Sequence, residues 1–374
     1  MTKTYNTIII GAGIAGATTA YVLTQKGQKV LVIDKKGIAS GGSGAAGAFV
    51  SPKIGKGSAL QSLTNEAFSF AKDFYLSTCP SFFHQTGVIR IPKDEADAKK
   101  FTEYEPFNEN RYENYKTEQL HAQGIDVEFD SFYFPEAGDC DAKEVCEFLL
   151  SGIEVVQYEV KEIIQEDGLW CVGDYRAKNL VLATGHESDL TDLRYMGIKG
   201  TWGTRGDFSS KLSLNVSMHQ SISVGANIDG IIKLGATHEK EVKEVTPCKK
   251  EQALLLKEKA SSLIDTSDLE LREVFCGMRS GSKDYFPLVG KVIDVPLMLE
   301  TYPAVTRGAK PKMKYVDNLF VCNGLGGRGF VFAPLMAKIL AECIVEDKEL
   351  DPRVNPDRLF LKWCRKSPEL EALR

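Results

Sequence analysis

The sequence predicts an α/β protein in which a Rossmann-like dinucleotide-binding domain, assembled from separated segments, carries an inserted α+β substrate domain built on an antiparallel sheet. Two observations carry this reading. A buried strand, a glycine turn, a helix and a second buried strand follow one another within the first thirty-four residues. Further apolar strands at residues 180–183 and 318–322 are separated from that unit by long aromatic, strand-rich stretches.

Residues 7–10 form a continuous β-branched run, the pattern of a strand buried on both faces. Gly11 to Gly16 turn the chain, residues 15–25 read as a helix ending at Gly27, and residues 30–33 as a strand stopped by Asp34. Residues 38–52 are rich in glycine, alanine and serine, and 65–75 place Phe68, Ala71 and Tyr75 on one helical side. From 82 to 134 short aromatic strands flank a charged helical segment. A helix at 141–150, strands at 154–157 and 180–183, short strands across 212–234 and a helix at 249–263 follow. The strand at 318–322 leads into a glycine turn and a helix over 330–346. This order assigns residues 1–81, 135–196, 270–285 and 315–350 to the nucleotide domain. Residues 82–134, 197–269 and 286–314 fall to the substrate domain, and 351–374 to a C-terminal tail.

In Gly11-Ala-Gly-Ile-Ala-Gly16, Gly11 permits the tight turn, Gly13 lets backbone approach a pyrophosphate, and Gly16 lets the helix pack on the strand. Ile14 and Ala15 open the helix, whose free N–H groups and dipole favour phosphate. Asp34, with Lys35 after it, ends the second strand where a carboxylate accepts both ribose hydroxyls. The unit binds the ADP half of a dinucleotide and serves NAD or FAD equally. A second match, Gly324-Leu-Gly-Gly-Arg-Gly329, also lies between strand and helix. Residues 347–356 after that helix are charged and proline-bearing, so no second strand carries a ribose-binding acid. It reads as a helix start aimed at something anionic, not as an NAD(P)H site.

Bulk properties narrow the function. A net charge of -5 argues against a broadly basic, nucleic-acid-coating surface. Nine cysteines without a C-x-x-C pair point to a reducing cytoplasm rather than a disulfide framework or zinc site. Residues 4–25 carry no charge, but Gly11, Gly13, Gly16, Thr18 and Thr19 make a poor membrane helix. His84, His186 and His238 stand alone without metal-ligand spacing. The expectation is a cytoplasmic enzyme without metal or membrane partner.

Together these pieces resemble the D-amino-acid-oxidase-like (DAO) family of FAD-dependent oxidoreductases, whose nucleotide domain is of the GR2 type. The resemblance runs from residue 7 to about 346. It implies noncovalent FAD, with Ser40, Gly42, Ser43 and Gly44 around the phosphates and flavin edge. Thr184 and Gly185 would lie by the cofactor, and Val160 would meet the adenine. Gly324, Gly326, Gly327, Arg328 and Gly329 would face the flavin's pyrimidine end. Cys276 lies one residue from where some relatives attach flavin covalently. Arg279, in Cys276-Gly-Met-Arg-Ser280, occupies the position where glycine-oxidase-like members hold the substrate carboxylate. Arg205, His238 and Lys240 are further substrate-site candidates.

Several stretches are similar to the members of the family that oxidise wobble uridine in tRNA. They are Ala39-Ser-Gly-Gly-Ser-Gly-Ala-Ala-Gly47 leading to Pro52-Lys53, Phe83-His-Gln-Thr-Gly87, Tyr133-Phe-Pro-Glu-Ala-Gly138, and Arg279 to Gly290 with Asp284 and Pro287. Gly326-Gly-Arg-Gly-Phe-Val-Phe-Ala-Pro334 completes the set. The similarity implies oxidation of a carboxymethylaminomethyl uridine to aminomethyl uridine with release of glyoxylate. Because the chain begins at the flavin fold, the expectation is a stand-alone oxidase, with any methyltransferase on a separate protein. A tRNA would meet phosphate-binding residues, for which Arg307, Lys310, Lys312 and Lys314 are candidates, with Arg358, Lys362, Arg365 and Lys366 in the tail. The alternatives are an oxidase of a free glycine- or sarcosine-like amine, and a flavoprotein subunit serving binding or electron transfer.

Overall fold

A computed structural model of the chain describes residues 3–187, 189–240, 242 and 247–373. Two eight-stranded sheets organise it. The first is built around Lys3–Ile10, whose residues Ile8 and Ile9 are fully buried between the parallel strands Val30–Asp34 and Tyr175–Leu182. Cover on both faces is why this run is continuously apolar rather than alternating. Glu154–Gln157 extends the sheet on one side, and Tyr315–Asn323 pairs in parallel on the other. Helices Ile14–Gln25 and Gly329–Glu346 pack together against it, and Ala59–Thr78 packs on the latter. The buried Tyr75 hydroxyl donates to the Phe330 carbonyl at 2.9 Å, pinning the start of Gly329–Glu346.

The second sheet runs in the order Glu270–Gly281, Lys199–Ser209, Ile231–Gly235, Ser223–Val224, Ser217–His219, Val88–Arg90, Ser131–Phe134, Glu113–Tyr115. It is antiparallel except between Val88–Arg90 and Ser217–His219, which pair in parallel. These two strands come from separate pieces of the insertion. No hairpin joins them, so nothing forces the antiparallel sense.

Two segments lie opposite to the expected division. Glu270–Gly281, within 270–285, pairs along its length with Lys199–Ser209 in the substrate sheet. Leu288–Ile293, within 286–314, pairs with Tyr315–Asn323 in the nucleotide sheet. Neither run names its partner in its own residues, and only pairing decides. Nor is the C-terminal stretch a loose tail. The helix Asp357–Lys366 buries Phe360 and Cys364, and Arg358 forks onto the Asp284 carboxylate with two bonds of 2.9 Å. Arg358 is thus a structural cation rather than a phosphate contact.

The cysteine expectation is also corrected. Cys248 and Cys276 form a disulfide across a sequence separation of 28. Folding places Cys276's strand beside the segment before Lys250–Ala260, an adjacency that spacing along the chain does not show. Among the described residues no helix is long and apolar enough to cross a membrane, and no acidic, histidine or cysteine group could hold a metal.

A three-stranded sheet, Phe49–Val50, Gly138–Cys140 and Phe83–His84, lies where the two domains meet. Beside it the Lys233 ammonium reaches Asp139 at 3.3 Å and Asp141 at 3.1 Å, and His84 meets Asp141 at 2.7 Å. Burial raises the Asp139 pKa. The hydrogen bond to Asp141 raises that of His84. A raised histidine pKa stabilises the fold fully below the unfolded value near 6.5, and that contribution fades as pH rises through the folded value. Replacing His84 by Gln should therefore cost about 1–2 kcal/mol in mildly acid solution and less in alkaline solution. Denaturant melts of both proteins across that range provide the check. A constant difference would contradict the assignment.

Candidate functional site

A cavity of about 770 Å3 lies where the two domains meet, walled by both. Its first end is built by the N-terminal motif. Gly11 has φ 112° and presses on the Ala183 carbonyl, so a side chain there is excluded. A Cβ on Gly13 would lie 2.9 Å from the Ser43 hydroxyl, to which Ile14 N–H donates at 2.9 Å. Asp34 is fixed by N–H groups: Ala12 donates to one oxygen at 2.9 Å, and Lys36 and Gly37 to the other at 2.8 and 3.0 Å. Ala15, Lys35 and Val160 complete this end of the wall. Gly16 does not line the cavity. It packs on Gly11, the helix-on-strand contact expected of it.

The middle of the cavity is a convergence of four segments. The loop carrying Ser40, Gly42 and Ser43 lies on Glu270–Gly281 so closely that a Cβ on Gly42 would come 2.5 Å from the Met278 carbonyl. Gly44 faces its own loop instead, against Ala39. Ser280 Oγ donates to the Gly185 carbonyl at 2.9 Å, and Asn323 Nδ2 donates to the same oxygen at 2.8 Å. Thr184 closes on the Glu187 carbonyl. Gly281 bridges to Leu325, drawing the second glycine turn to the same place. Gly326, Gly327, Arg328 and Gly329 line the cavity, whereas Gly324 packs on Leu288.

Arg279 stands at the far end. Its Nη1 donates to the Thr237 carbonyl at 3.1 Å, and no carboxylate is within ion-pair distance among the described residues. Asp284, five residues on along the chain, is taken by Arg358. Burial holds the Arg279 pKa below the usual guanidinium value. Gly203, on the neighbouring strand, makes the room: a Cβ there would lie 2.7 Å from the guanidinium carbon. Gly327 faces the Arg279 side chain, 3.9 Å from Cδ to a Cβ built there. His238 lines the wall and its pKa is lowered by burial and by Arg279. Lys240 is exposed and outside the wall. Arg205 is also outside it: Asp207 holds its Nε at 2.8 Å, the Ala46 carbonyl takes Nη1, and Phe275 lies under the guanidinium. Arg205 ties the glycine-rich loop to the sheet and does not face a substrate.

Four residues on the cavity side escaped the reading of the sequence. Arg90, His219, Ser223 and Gly203 all line this wall. Arg90 left a signal, a charge inside the apolar run Val88-Ile-Arg-Ile91. His219 meets Phe49 edge-on at 4.5 Å and accepts or donates at Ser223 Oγ, 2.7 Å away. Its pKa lies well below the ordinary value because of burial, Arg90 and Arg328.

The chain belongs to the DAO family of FAD-dependent oxidoreductases, whose family model matches residues 6–343. It is an FAD-dependent oxidoreductase, and the cavity fits a dinucleotide, because Gly11, Gly13 and Gly42 line it with bare backbone and Asp34 stands on the same wall. The chain is 25% identical over 97% of its length to the tRNA 5-methylaminomethyl-2-thiouridine biosynthesis bifunctional protein MnmC of Shewanella amazonensis, covering 61% of it. It is 26% identical over 94% of its length to the MnmC protein of Marinobacter nauticus, covering 58%. The chain thus spans about three-fifths of the length of these relatives. Glycine oxidase from Bacillus cereus shares the fold with TM-score 0.75, 19% identity and 92% of this chain and 96% of that one covered. Iminodiacetate oxidase from a Chelativorans species does so with TM-score 0.71, 17% identity and coverage of 94% and 99%.

Two substitutions separate cofactor from substrate contacts. Gly42→Ala pushes the loop from backbone, and should lower the flavin absorbance per protein after purification. Gly203→Ala displaces only the Arg279 guanidinium, and should keep flavin while raising KM for a carboxylated amine about tenfold. Flavin loss in the second, or unchanged KM, would contradict this division.

Proposed function

We propose that this chain oxidises a CH–NH group next to a carboxylate, and that its substrate is the carboxymethylaminomethyl group of a wobble uridine or thiouridine in tRNA. The observation that carries the reading is Arg279, a guanidinium without carboxylate partner among the described residues, on the wall of a cavity that the Gly326–Gly329 turn also lines. A planar fork of this kind pairs bidentately with a carboxylate. The alignment to MnmC proteins over nearly the whole chain supports the tRNA substrate.

FAD, when bound, supplies the acceptor for a hydride from the carbon between amine and carboxylate. The resulting substrate imine takes up water and divides into aminomethyl uridine and glyoxylate. Arg279 anchors the carboxylate and so fixes the direction of that carbon. Arg90 and Arg328 share the cavity with it, and their positive field lowers the amine's pKa, favouring the neutral amine that gives up hydride. Electron donation from that amine needs no side-chain base, and none is assigned. Arg307, Lys310 and Lys312 are exposed and outside the cavity wall, where they are free to meet tRNA phosphates, with Lys314 beside them. The rival substrate, a free glycine- or sarcosine-like amine, is favoured by the same arginine, since Arg279 reads a carboxylate whatever carries it.

Nucleoside analysis of tRNA bearing the carboxymethylaminomethyl group, after incubation with the flavin-loaded protein, decides between them. Its conversion to aminomethyl uridine is expected. An unchanged nucleoside alongside turnover of free glycine would sink the tRNA substrate. Arg279→Ala should retain flavin and lose about 10²–10³-fold in kcat/KM on whichever amine is turned over, with Arg279→Lys recovering part. A loss of less than about threefold would remove Arg279 from substrate binding.

A further inference from the structure

Charge is unevenly distributed around the cavity. Its carboxylates, Asp34, Glu159, Glu187 and Asp189, come from the strand end and loops around the ribose-binding aspartate. On the wall made by the substrate sheet and the second glycine turn stand Arg90, Arg279 and Arg328, with no carboxylate among the described residues. Lys53 adds a cation whose pKa is lowered by burial and further by Arg328 and Arg90. Burial lowers Arg328 to about 9, with Arg90 adding to the shift, and lowers Arg90 to about 10. Gathering like charges in a desolvated wall is unfavourable, and a guanidinium does not relieve it by giving up a proton. A counter-anion does.

Two of the three arginines already have work. Arg328 Nη1 donates to the Ser51 carbonyl at 3.1 Å from within the turn that the family resemblance places against the flavin. Arg279 is the carboxylate clamp proposed above. Arg90 has no such assignment. It ends the strand Val88–Arg90 opposite His219, and its side chain makes no hydrogen bond or ion pair with another described residue. Asp97 eases its burial only through space. The sealed, unpartnered side-chain atoms among the described residues lie on Asn108, Asn110, Asn227 and Asp357. The Arg90 N–H groups therefore open into the cavity rather than into packed protein. Ser223 and Gln220 line the same wall, with Ser223 Oγ against His219 and Gln220 Nε2 donating to the Pro92 carbonyl at 3.2 Å, and Asp97 offsets the Arg90 charge only through space.

We propose that Arg90, with Ser223 and Gln220 beside it, forms a second oxyanion subsite, so that the substrate is held by two anionic groups, one at Arg279 and one at Arg90. The inference rests on the role given to Arg279. A guanidinium fork suits phosphate and carboxylate alike. In a wobble nucleotide the second oxyanion is the nucleotide's phosphate. In a free amine it is the second carboxylate of an N-carboxymethyl diacid.

Ligand titrations followed by the flavin spectrum of the holoenzyme test this without turnover. One pair of ligands is acetate and malonate; the other is the ether analogue of the proposed nucleoside, in which oxygen replaces the amine and blocks oxidation, with and without its 5′-phosphate. In the wild type, the member of at least one pair with the extra oxyanion should bind about tenfold or more tightly, about 1.4 kcal/mol. The pair that shows it identifies the source. Arg90→Gln should bring that ratio to about one while shifting the single-anion ligand less than about twofold, and Arg90→Lys should give an intermediate ratio. A ratio below about two for both pairs in the wild type, or one that survives in Arg90→Gln, overturns the subsite. The wild-type comparison stands even where a variant loses flavin. Arg279→Gln separates the two ideas. If it leaves acetate and the unphosphorylated nucleoside bound as before, the clamp fails, whereas an Arg90-dependent ratio still reports on the second subsite.

Discussion

Everything at the reactive end of this protein hangs on one close approach of backbone to backbone. Gly42 lies against the Met278 carbonyl, and a Cβ on Gly277 would come 2.9 Å from the Gly42 Cα. No residue with a side chain fits at either position. The contact brings the cofactor-side loop down onto a strand of the substrate sheet, and Arg279 follows two residues later on that strand. The proposed carboxylate clamp is thus set relative to the glycine-rich loop by main-chain sterics rather than by long side chains. Positioning of this kind holds geometry to fractions of an ångström and carries little rotamer entropy.

Electrostatics then divide the cavity. At the ribose end Asp34 is saturated by N–H groups from its own loop and from Ala12. At the other end the guanidinium groups of Arg90 and Arg279 form no ion pair among the described residues. Desolvated guanidinium groups are costly while unpaired, and the anion-binding roles proposed for the two would offset that cost.

The sequence made the nucleotide half readable because its signals are local. Buried parallel strands are continuously apolar, and the glycines of the first motif sit at fixed offsets dictated by a turn, a phosphate and a helix contact. The strand at 154–157 and the helix opening near 330 were legible for the same reason. The substrate half was less so. Whether Glu270–Gly281 and Leu288–Ile293 join one sheet or the other depends on partners far away in the chain, and nothing in either segment states them. Arg205 illustrates the loss at residue level. An arginine on a strand near the active site looks like a ligand until Asp207 and the Ala46 carbonyl are seen to occupy it. Arg90 is the converse, a charge in an apolar strand that had no meaning until the cavity was visible. The disulfide between Cys248 and Cys276 was hidden in the same way.

The cluster of His84, Asp141 and Lys233 around the buried Asp139 bears on how such an enzyme can change. Lys233 comes from the substrate sheet, and the two aspartates and the histidine from segments at the domain junction. Sliding one layer over the other by a single residue would leave a buried charge without its mate, a penalty that apolar packing does not impose. The cluster acts as a key in a keyway, locking the register of the two halves. Side chains on the cavity face of the substrate sheet can then be exchanged, and substrates with them, while the seat of the cofactor stays where it is.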